Sequence, residues 1–168
     1  MARLLPVLAL AAACTVPACG RPAPGRALAP VPEVPAPLPT GLGPLRFPVP
    51  GGTTVGLFGW TERAAGPFFT PYLRIRAAAG EAPEVAVAAG SVAAVHDDPV
   101  QLGLYVEVVH ARAWASIYGG CGAVVVVPGQ PVASGATVCT LPQANAVALF
   151  GLLLDGQPVN PQPYLEPA

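Results

Sequence analysis

Few residues of this chain could carry chemistry, and most of them are histidines, carboxylates and cysteines in its second half. His96-Asp97-Asp98, Glu107 and His110 are the candidates for metal binding or acid–base catalysis. His96 and Asp97 are adjacent, so on a strand their side chains would point to opposite faces and could not share one ion. The simpler interpretation is a solvated turn for residues 96–98 and, for His110, a hydrogen bond to the backbone at a strand end.

Two cysteines, Cys121 and Cys139, flank one predicted strand–turn–strand unit. In an exported protein an even pair at this spacing favours a disulfide. Closing such a loop would stabilise the fold by about 3 kcal/mol in the chain-entropy model. The alternative is two buried free thiols. The sequence contains no Gly-x-Ser-x-Gly motif, and the two cysteines are better explained by each other than as nucleophiles.

The elements that must position these residues are short strands. Residues 105–109 alternate with a period of two, and Trp114–Tyr118 is rich in aromatic and β-branched residues, so both are predicted strands. Further strands are predicted over 55–60 and 72–76, with a loop over 61–70 and a polar turn over 96–99. The run 124–127 is too apolar to face solvent on both sides. Because no stretch shows a sustained helical period between strong caps, the predicted fold class is mainly β, with a single antiparallel sheet as its core.

The order of motifs between Phe47 and Leu165 resembles the lysostaphin/LytM-type zinc endopeptidases, which cut peptidoglycan cross-bridges. That family has an apolar strand ending in histidine, then Thr-x-Tyr-x-His-Leu, then spaced Gly and Val residues, and finally Asn-Gly-x-Pro-Val-Asp-Pro before Tyr-Leu. The matching residues are the strand ending at His110, Ser116-Ile-Tyr-Gly-Gly-Cys121, Gly129, Val132, Gly135, Asp155-Gly-Gln-Pro-Val-Asn-Pro161 and Tyr164-Leu165. The resemblance implies the β-sheet domain of that family, the LytM or duplicated-hybrid type.

The same resemblance implies that the zinc ligands are missing. The family binds zinc through two histidines and an aspartate, which leaves the fourth position for a water. The expected His-x-x-x-Asp should precede Ala77, but Phe68–Ala77 contains neither residue; its charges are Arg74 and Arg76, and an arginine there would repel Zn²⁺. The remaining histidine positions align with Gly120, Val147 and Leu149. The expectation is a degenerate member with no metal, no cofactor and no catalytic residue, in which Arg74 and Arg76 either contact an anion such as a peptide carboxylate or form a solvated strand face.

An apolar strip is expected where the family has its active-site groove. Val147 and Leu149 lie two residues apart, so on a strand they share one face. An open apolar strip costs solubility unless something covers it. The expected cover is the segment 61–70, with Phe68 and Phe69, and the alternative is a partner molecule.

The N-terminus is typical of an exported protein. Arg3 precedes the apolar run Leu4–Val16, which is too short to span a bilayer. Residues 1–19 are predicted to be a signal peptide and lipobox with Cys19 as the lipid anchor. Cys14 as the anchor, or a plain secretory signal cut near Ala18, are the alternatives. Residues 20–44 are rich in proline and predicted to be a disordered linker, and residues 45–168 are predicted to be the folded domain.

The net charge of the chain and its resemblance to the LytM-type family together indicate its function. The 168-residue chain has a net charge of −1 and no lysine, so it has no broad basic face for nucleic acid. We expect an exported, catalytically inactive LytM-like domain, anchored by lipid to the cell membrane at the periplasmic or outer face. It would bind peptidoglycan or a cell-wall hydrolase or synthase. The alternatives are an active zinc metalloendopeptidase and a purely structural envelope lipoprotein.

Overall fold

The computed structural model describes residues 37–38, 42–78, 82–111, 113–143 and 146–168. The predicted signal peptide, with Cys14 and Cys19, and most of the predicted linker lie outside these residues. Among the described residues, no helix has the length and apolar character needed to cross a membrane.

The described residues form thirteen strands and one 3-10 helix, Gln162–Tyr164. The strands are β1 Thr53–Gly56, β2 Gly59–Arg63, β3 Gly66–Thr70, β4 Leu73–Arg76, β5 Pro83–Val85, β6 Gly90–Asp98, β7 Gly103–Val109, β8 Trp114–Cys121, β9 Ala123–Val124, β10 Pro131–Val132, β11 Thr137–Thr140, β12 Val147–Leu154 and β13 Gln157–Val159.

One large antiparallel sheet organises the fold. Its strand order is β1-β4-β12-β8-β7-β6-β10, and β13 pairs with β12. A three-stranded sheet, β5-β11-β9, and a separate hairpin, β2-β3, complete the described elements. The prediction of a mainly β domain with an antiparallel sheet as its core is confirmed.

The hydrophobic core covers one face of the large sheet. Alternate residues of its central strands point into this core, which is the expected consequence of the two-residue period. The buried side chains include Leu73 and Ile75 of β4, Tyr118 of β8, and Ala148, Phe150 and Leu152 of β12. Residues of the three-stranded sheet, including Val138 and Cys139, belong to the same core cluster. The opposite face of the large sheet therefore remains available to solvent along part of its width.

Three local predictions are wrong, and each error has a physical cause. The predicted strand over 55–60 is broken between β1 and β2, because Gly59 turns the chain with φ +117°. The predicted loop over 61–70 is the hairpin β2–β3, in which Trp60 pairs with Phe69. The predicted turn at 96–99 is a continuation of β6, since Asp98 still pairs with Gly103 of β7.

The apolar run 124–127 does not face solvent on both sides, as expected. Val126 is buried and Val124 packs against the core, whereas Val125 and Val127 are 55% and 64% exposed. Apolar side chains contribute much of any protein surface, so an exposed valine needs no special partner.

Candidate functional site

One row of residues crosses five strands on the face of the large sheet that lies opposite the core. Arg74 of β4 pairs with Leu149 of β12, and Leu149 pairs with Gly119 of β8. Gly119 in turn pairs with Tyr105 of β7, and Tyr105 with His96 of β6. Directly paired residues share a face of a sheet, so these five residues form a continuous strip, which we call the open face.

A second pair lies beside this row. Arg76 of β4 pairs with Val147 of β12. Arg76 lies two residues after Arg74, and Val147 lies two residues before Leu149, so all four residues are on the same face. Both arginines are exposed, whereas Val147 and Leu149 are half-buried. The structure thus brings together four residues that the sequence analysis singled out separately: the two arginines and two of the positions matched to active-site histidines.

Gly120 occupies a β-bulge at the edge of the open face. Leu104 pairs with Cys121 and Tyr105 with Gly119, so Gly120 is the extra residue of β8. It has φ +81°, and a Cβ atom at this position would lie 2.8 Å from the carbonyl oxygen of Val147. A side chain at this position would therefore force the backbone at Val147 to shift.

The side chains of the open face do not fit a zinc ion. Glycine, valine and leucine offer no donor atom at the three matched positions, and the neighbouring strand presents two guanidinium groups, which would repel a cation. We therefore derive no metal-dependent step from this face.

Leu102, in the turn between β6 and β7, covers one end of the open face. Its carbonyl oxygen accepts a 2.8 Å hydrogen bond from the Gly120 amide, and its Cδ2 atom lies 3.4 Å from the Cβ position of Gly119. The segment 61–70, which was the expected cover, makes its ring contacts elsewhere. Phe68 and Phe69 contact Phe58, Trp60 and Arg63, within or beside their own hairpin.

The remaining polar candidates also have defined places. His96 is exposed and stacks on Tyr105 with ring centroids 5.0 Å apart. Asp97 pairs with Leu104 and therefore points to the other face. Asp98 Oδ1 accepts hydrogen bonds from the amides of Val100 and Gln101, which stabilises the turn after β6. Since these groups face different directions, they do not form a metal site.

A buried polar network lies on the core side of the sheet, and sequence analysis had identified only one of its members, His110. The His110 Nδ1 atom lies 2.9 Å from the Ala89 carbonyl oxygen, which can only accept, so Nδ1 carries the hydrogen. The Nε2 atom of the neutral ring then accepts from Ser116 Oγ at 2.8 Å. Ser116 accepts in turn from the Tyr118 hydroxyl, 2.8 Å away, which also accepts from the Val87 amide at 2.9 Å. This assignment satisfies every atom of the network.

Burial determines the ionisation of this network. It lowers the pKa of His110, an effect partly opposed by the hydrogen bond to Ala89, and it raises the pKa of Tyr118. Ser116 is fully buried and His110 nearly so. The His110–Ser116 pair is therefore a structural link between β8 and the segment before β6, because no substrate can reach it in the folded state. The pattern Ser116-x-Tyr118 was visible in the sequence, but its partner His110 is joined to it only by the sheet.

The predicted disulfide between Cys121 and Cys139 is confirmed, with the two Cα atoms 5.8 Å apart. It links the end of β8 in the large sheet to β11 in the three-stranded sheet. Sequence analysis missed the neighbour of this disulfide, Glu84, which is fully buried. Nothing in the local sequence indicated that this carboxyl group would face the sulfur atoms.

No protein-family model and no curated protein sequence matches this chain. Its fold, however, is similar to several solved structures. The catalytic domain of the prophage-encoded M23 protein EnpA from Enterococcus faecalis, solved as a point mutant, has a TM-score of 0.58 and 22% identity, covering 66% of this chain and 89% of that one. A zinc-containing peptidase from Vibrio cholerae has a TM-score of 0.61 and 18% identity, covering 71% and 40%.

A third similar structure is an assembly. A chain of the SpoIIQ–SpoIIIAH pore-forming complex has a TM-score of 0.58 and 19% identity, covering 74% of this chain and 92% of that one. The similar structures thus include peptidases and a component of a protein complex. Strand order, motif order and these structural neighbours agree, and the chain has the fold of the M23, or lysostaphin/LytM-type, peptidases.

Proposed function

We propose that this protein is a catalytically inactive LytM-like domain of the cell envelope, which uses the open face to bind peptidoglycan or a cell-wall enzyme. One observation carries the proposal. The positions matched to the active-site histidines lie together on a single surface of the fold, and that surface has two arginines, two apolar side chains and a closed glycine bulge in place of polar active-site groups.

The chemistry of the open face favours binding of an anionic, partly apolar ligand. Arg74 and Arg76 form a cationic edge, and guanidinium groups suit carboxylates because they donate parallel hydrogen bonds. Among the described residues, neither arginine forms an ion pair within the fold. Val147 and Leu149 supply an apolar strip beside them, and Tyr105 with His96 forms an aromatic end. The stem peptides of peptidoglycan combine free carboxylates with small apolar side chains, so they match this arrangement.

The structural neighbours support a binding role. The fold occurs in a chain of the SpoIIQ–SpoIIIAH complex as well as in peptidases. The predicted signal peptide, with lipidation of Cys19 as the form we favour, would place the domain at the membrane surface, where wall polymers and wall enzymes are both within reach.

Two measurements on the purified chain test the proposal. Elemental analysis should find no stoichiometric zinc, and the protein should not degrade isolated peptidoglycan. Sedimentation with purified cell wall should retain the wild-type protein, and Arg74→Gln with Arg76→Gln should weaken retention about tenfold or more, as expected when two charge-assisted contacts are lost. Arg46→Gln, a change of an exposed arginine outside the open face, is the matched control.

The outcomes separate the alternatives. One equivalent of bound zinc together with cleavage of peptidoglycan would establish the active peptidase instead. Retention on crude envelope but not on protein-free wall would indicate a protein partner. Equal retention of the double variant and the control would remove the open face from the proposal, and no retention on either material would leave a structural lipoprotein.

A further inference from the structure

The carboxyl group of Glu84 lies against the disulfide, deep inside the fold. Glu84 has no exposed surface, and its Oε2 atom is 3.3 Å from Cys139 Sγ and 4.0 Å from Cys121 Sγ. The second oxygen, Oε1, is also buried and has no hydrogen-bond partner among the described residues.

In the part of the chain that the structure describes, the oxidised form gives this carboxyl group no partner of suitable chemistry. Sulfur atoms in a disulfide carry no hydrogen, so they donate nothing to a carboxylate. Burial raises the pKa of Glu84. A buried, incompletely satisfied carboxyl group destabilises a fold, and an apolar side chain at this position would avoid the cost. The position calls for a ligand that the oxidised fold does not supply.

The three groups already have the spacing of metal ligands. Their ligand atoms all lie within 4.8 Å of one another, and they are the one such group of His, Cys, Asp and Glu in the part of the chain that the structure describes. In a tetrahedral zinc site, Zn–S bonds of about 2.3 Å and Zn–O bonds of about 2.1 Å place sulfur and oxygen about 3.6 Å apart. The two observed sulfur–oxygen distances, 3.3 and 4.0 Å, lie on either side of that value.

The backbone holds the ligands from both sheets. Glu84 of β5 and Cys139 of β11 are direct cross-strand partners, and Cys121 ends β8 of the large sheet. Once the S–S bond is broken, the sulfur atoms need only separate to about 3.8 Å, the spacing that tetrahedral Zn–S geometry requires. Rotation about the Cα–Cβ bonds provides such a movement without any shift of the strands.

We propose that, when the disulfide is reduced, Cys121, Cys139 and Glu84 bind a thiolate-preferring divalent cation such as Zn²⁺, which then links the two sheets in place of the disulfide. A dithiol reductant supplies two electrons and two protons, so that the S–S bond becomes two thiols and the reductant becomes a disulfide. Metal binding then releases the two thiol protons and any proton on Glu84. The bound set carries two thiolates, one carboxylate and the dication, and these side chains fill three of the four tetrahedral positions. This site is independent of the open face.

The test uses the full chain, purified and reduced without oxygen, and titrated with Co²⁺ as a spectroscopic substitute for Zn²⁺. We expect one equivalent of Co²⁺ to give a thiolate-to-cobalt charge-transfer band that Zn²⁺ removes, and to raise the melting temperature of the reduced protein. The oxidised protein should show neither effect. Cys139→Ser should lose most of the band, and Glu84→Gln should weaken Co²⁺ binding about tenfold or more, the scale typical of losing support for a metal site.

Glu84→Gln also serves as its own folding control, because the glutamine has nearly the same shape and the disulfide can still form. Its melting curve in the oxidised state shows whether the variant is folded. Glu84→Asp, which keeps a carboxylate, should bind Co²⁺ more tightly than Glu84→Gln. The proposal is overturned if the reduced wild type gives no charge-transfer band, whether it is folded or unfolded, or if Glu84→Gln binds Co²⁺ as tightly as the wild type.

Discussion

The closed bulge at Gly120 can be tested directly, because the chain contains a glycine with the same backbone conformation in open space. Gly120 has φ +81° and Gly129 has φ +83°. A Cβ at Gly120 would lie 2.8 Å from the carbonyl oxygen of Val147, whereas a Cβ at Gly129 would meet nothing within 4 Å. Replacing each glycine by alanine therefore separates the cost of the backbone conformation from the cost of the clash.

The expected magnitudes follow from these two terms. An alanine in the left-handed region costs about 1–2 kcal/mol, and this cost applies to both variants. Alanine also makes the unfolded chain less flexible than glycine does, which raises stability by a similar amount in both variants. This effect cancels when the two variants are compared. Forcing an extra atom against a backbone oxygen adds about 1–3 kcal/mol, as in other overpacked sites. Gly120→Ala should thus lower the free energy of unfolding by about 2–5 kcal/mol, and Gly129→Ala by about 1–2 kcal/mol.

Urea denaturation of both variants and the wild type, under oxidising conditions, measures the difference. Equal losses for the two variants would show that Val147 does not confine Gly120 and that the bulge is not closed. Gly120→His extends the test to function, since it restores the residue type that the family has at the matched position. We expect it to be at least as destabilised as Gly120→Ala and to bind no zinc at the open face; a folded, zinc-binding variant would refute the reasoning.

Three further predictions concern the buried network and the N-terminus. Ser116→Ala should lower the free energy of unfolding by about 1–3 kcal/mol, because it leaves His110 Nε2 without a donor and the Tyr118 hydroxyl without an acceptor. Ser134→Ala, which removes one 3.4 Å bond made by an exposed serine, is the control for urea denaturation. Burial lowers the pKa of His110 below its ordinary 6.5, so the unfolded chain binds a proton more readily than the folded chain does. The stability that the neutral ring contributes is therefore present above pH 6.5 and is lost as the pH falls below that value. The free energy of unfolding is measured at several pH values for the wild type and the variants. His110→Asn should remove this pH-dependent part of the stability, which is at most about 1.4 kcal/mol per pH unit. His96→Asn, a change of an exposed histidine, should retain it. Finally, Cys19→Ala should release the protein from membranes or block its processing in cell fractionation, and release by Cys14→Ala alone would move the anchor to Cys14.

Local patterns were a good guide where one face of a strand is buried. The alternation in 105–109 and the strand expected at Val147 and Leu149 correspond to β7 and β12, both within the large sheet. The errors lie where a turn depends on a single backbone conformation or on a partner strand. The polar residues His96 to Asp98 continue β6 because β7 pairs with them, and nothing within that tripeptide indicates the pairing.

For the candidate site, the sequence by itself determined which residue types are present. Gly120, Val147 and Leu149 have no donor atoms in their side chains, and Arg74 and Arg76 are charged; both facts are properties of the residue types. The motif order that matches the first three to active-site positions is also read from the sequence. The disulfide between Cys121 and Cys139 was predictable as well, since both its spacing and the expected export favour it.

Only the tertiary structure decided which of these residues meet. Arg74 and Leu149 are 75 positions apart, and Glu84 and Cys139 are 55 apart; strand pairing makes each a pair of direct neighbours. Pairing of distant strands depends on the packing of the whole core, so it leaves no signal in a local window of sequence. For the same reason the buried carboxyl group beside the disulfide, and the network from His110 through Ser116 to Tyr118, became visible only when the sheets were assembled.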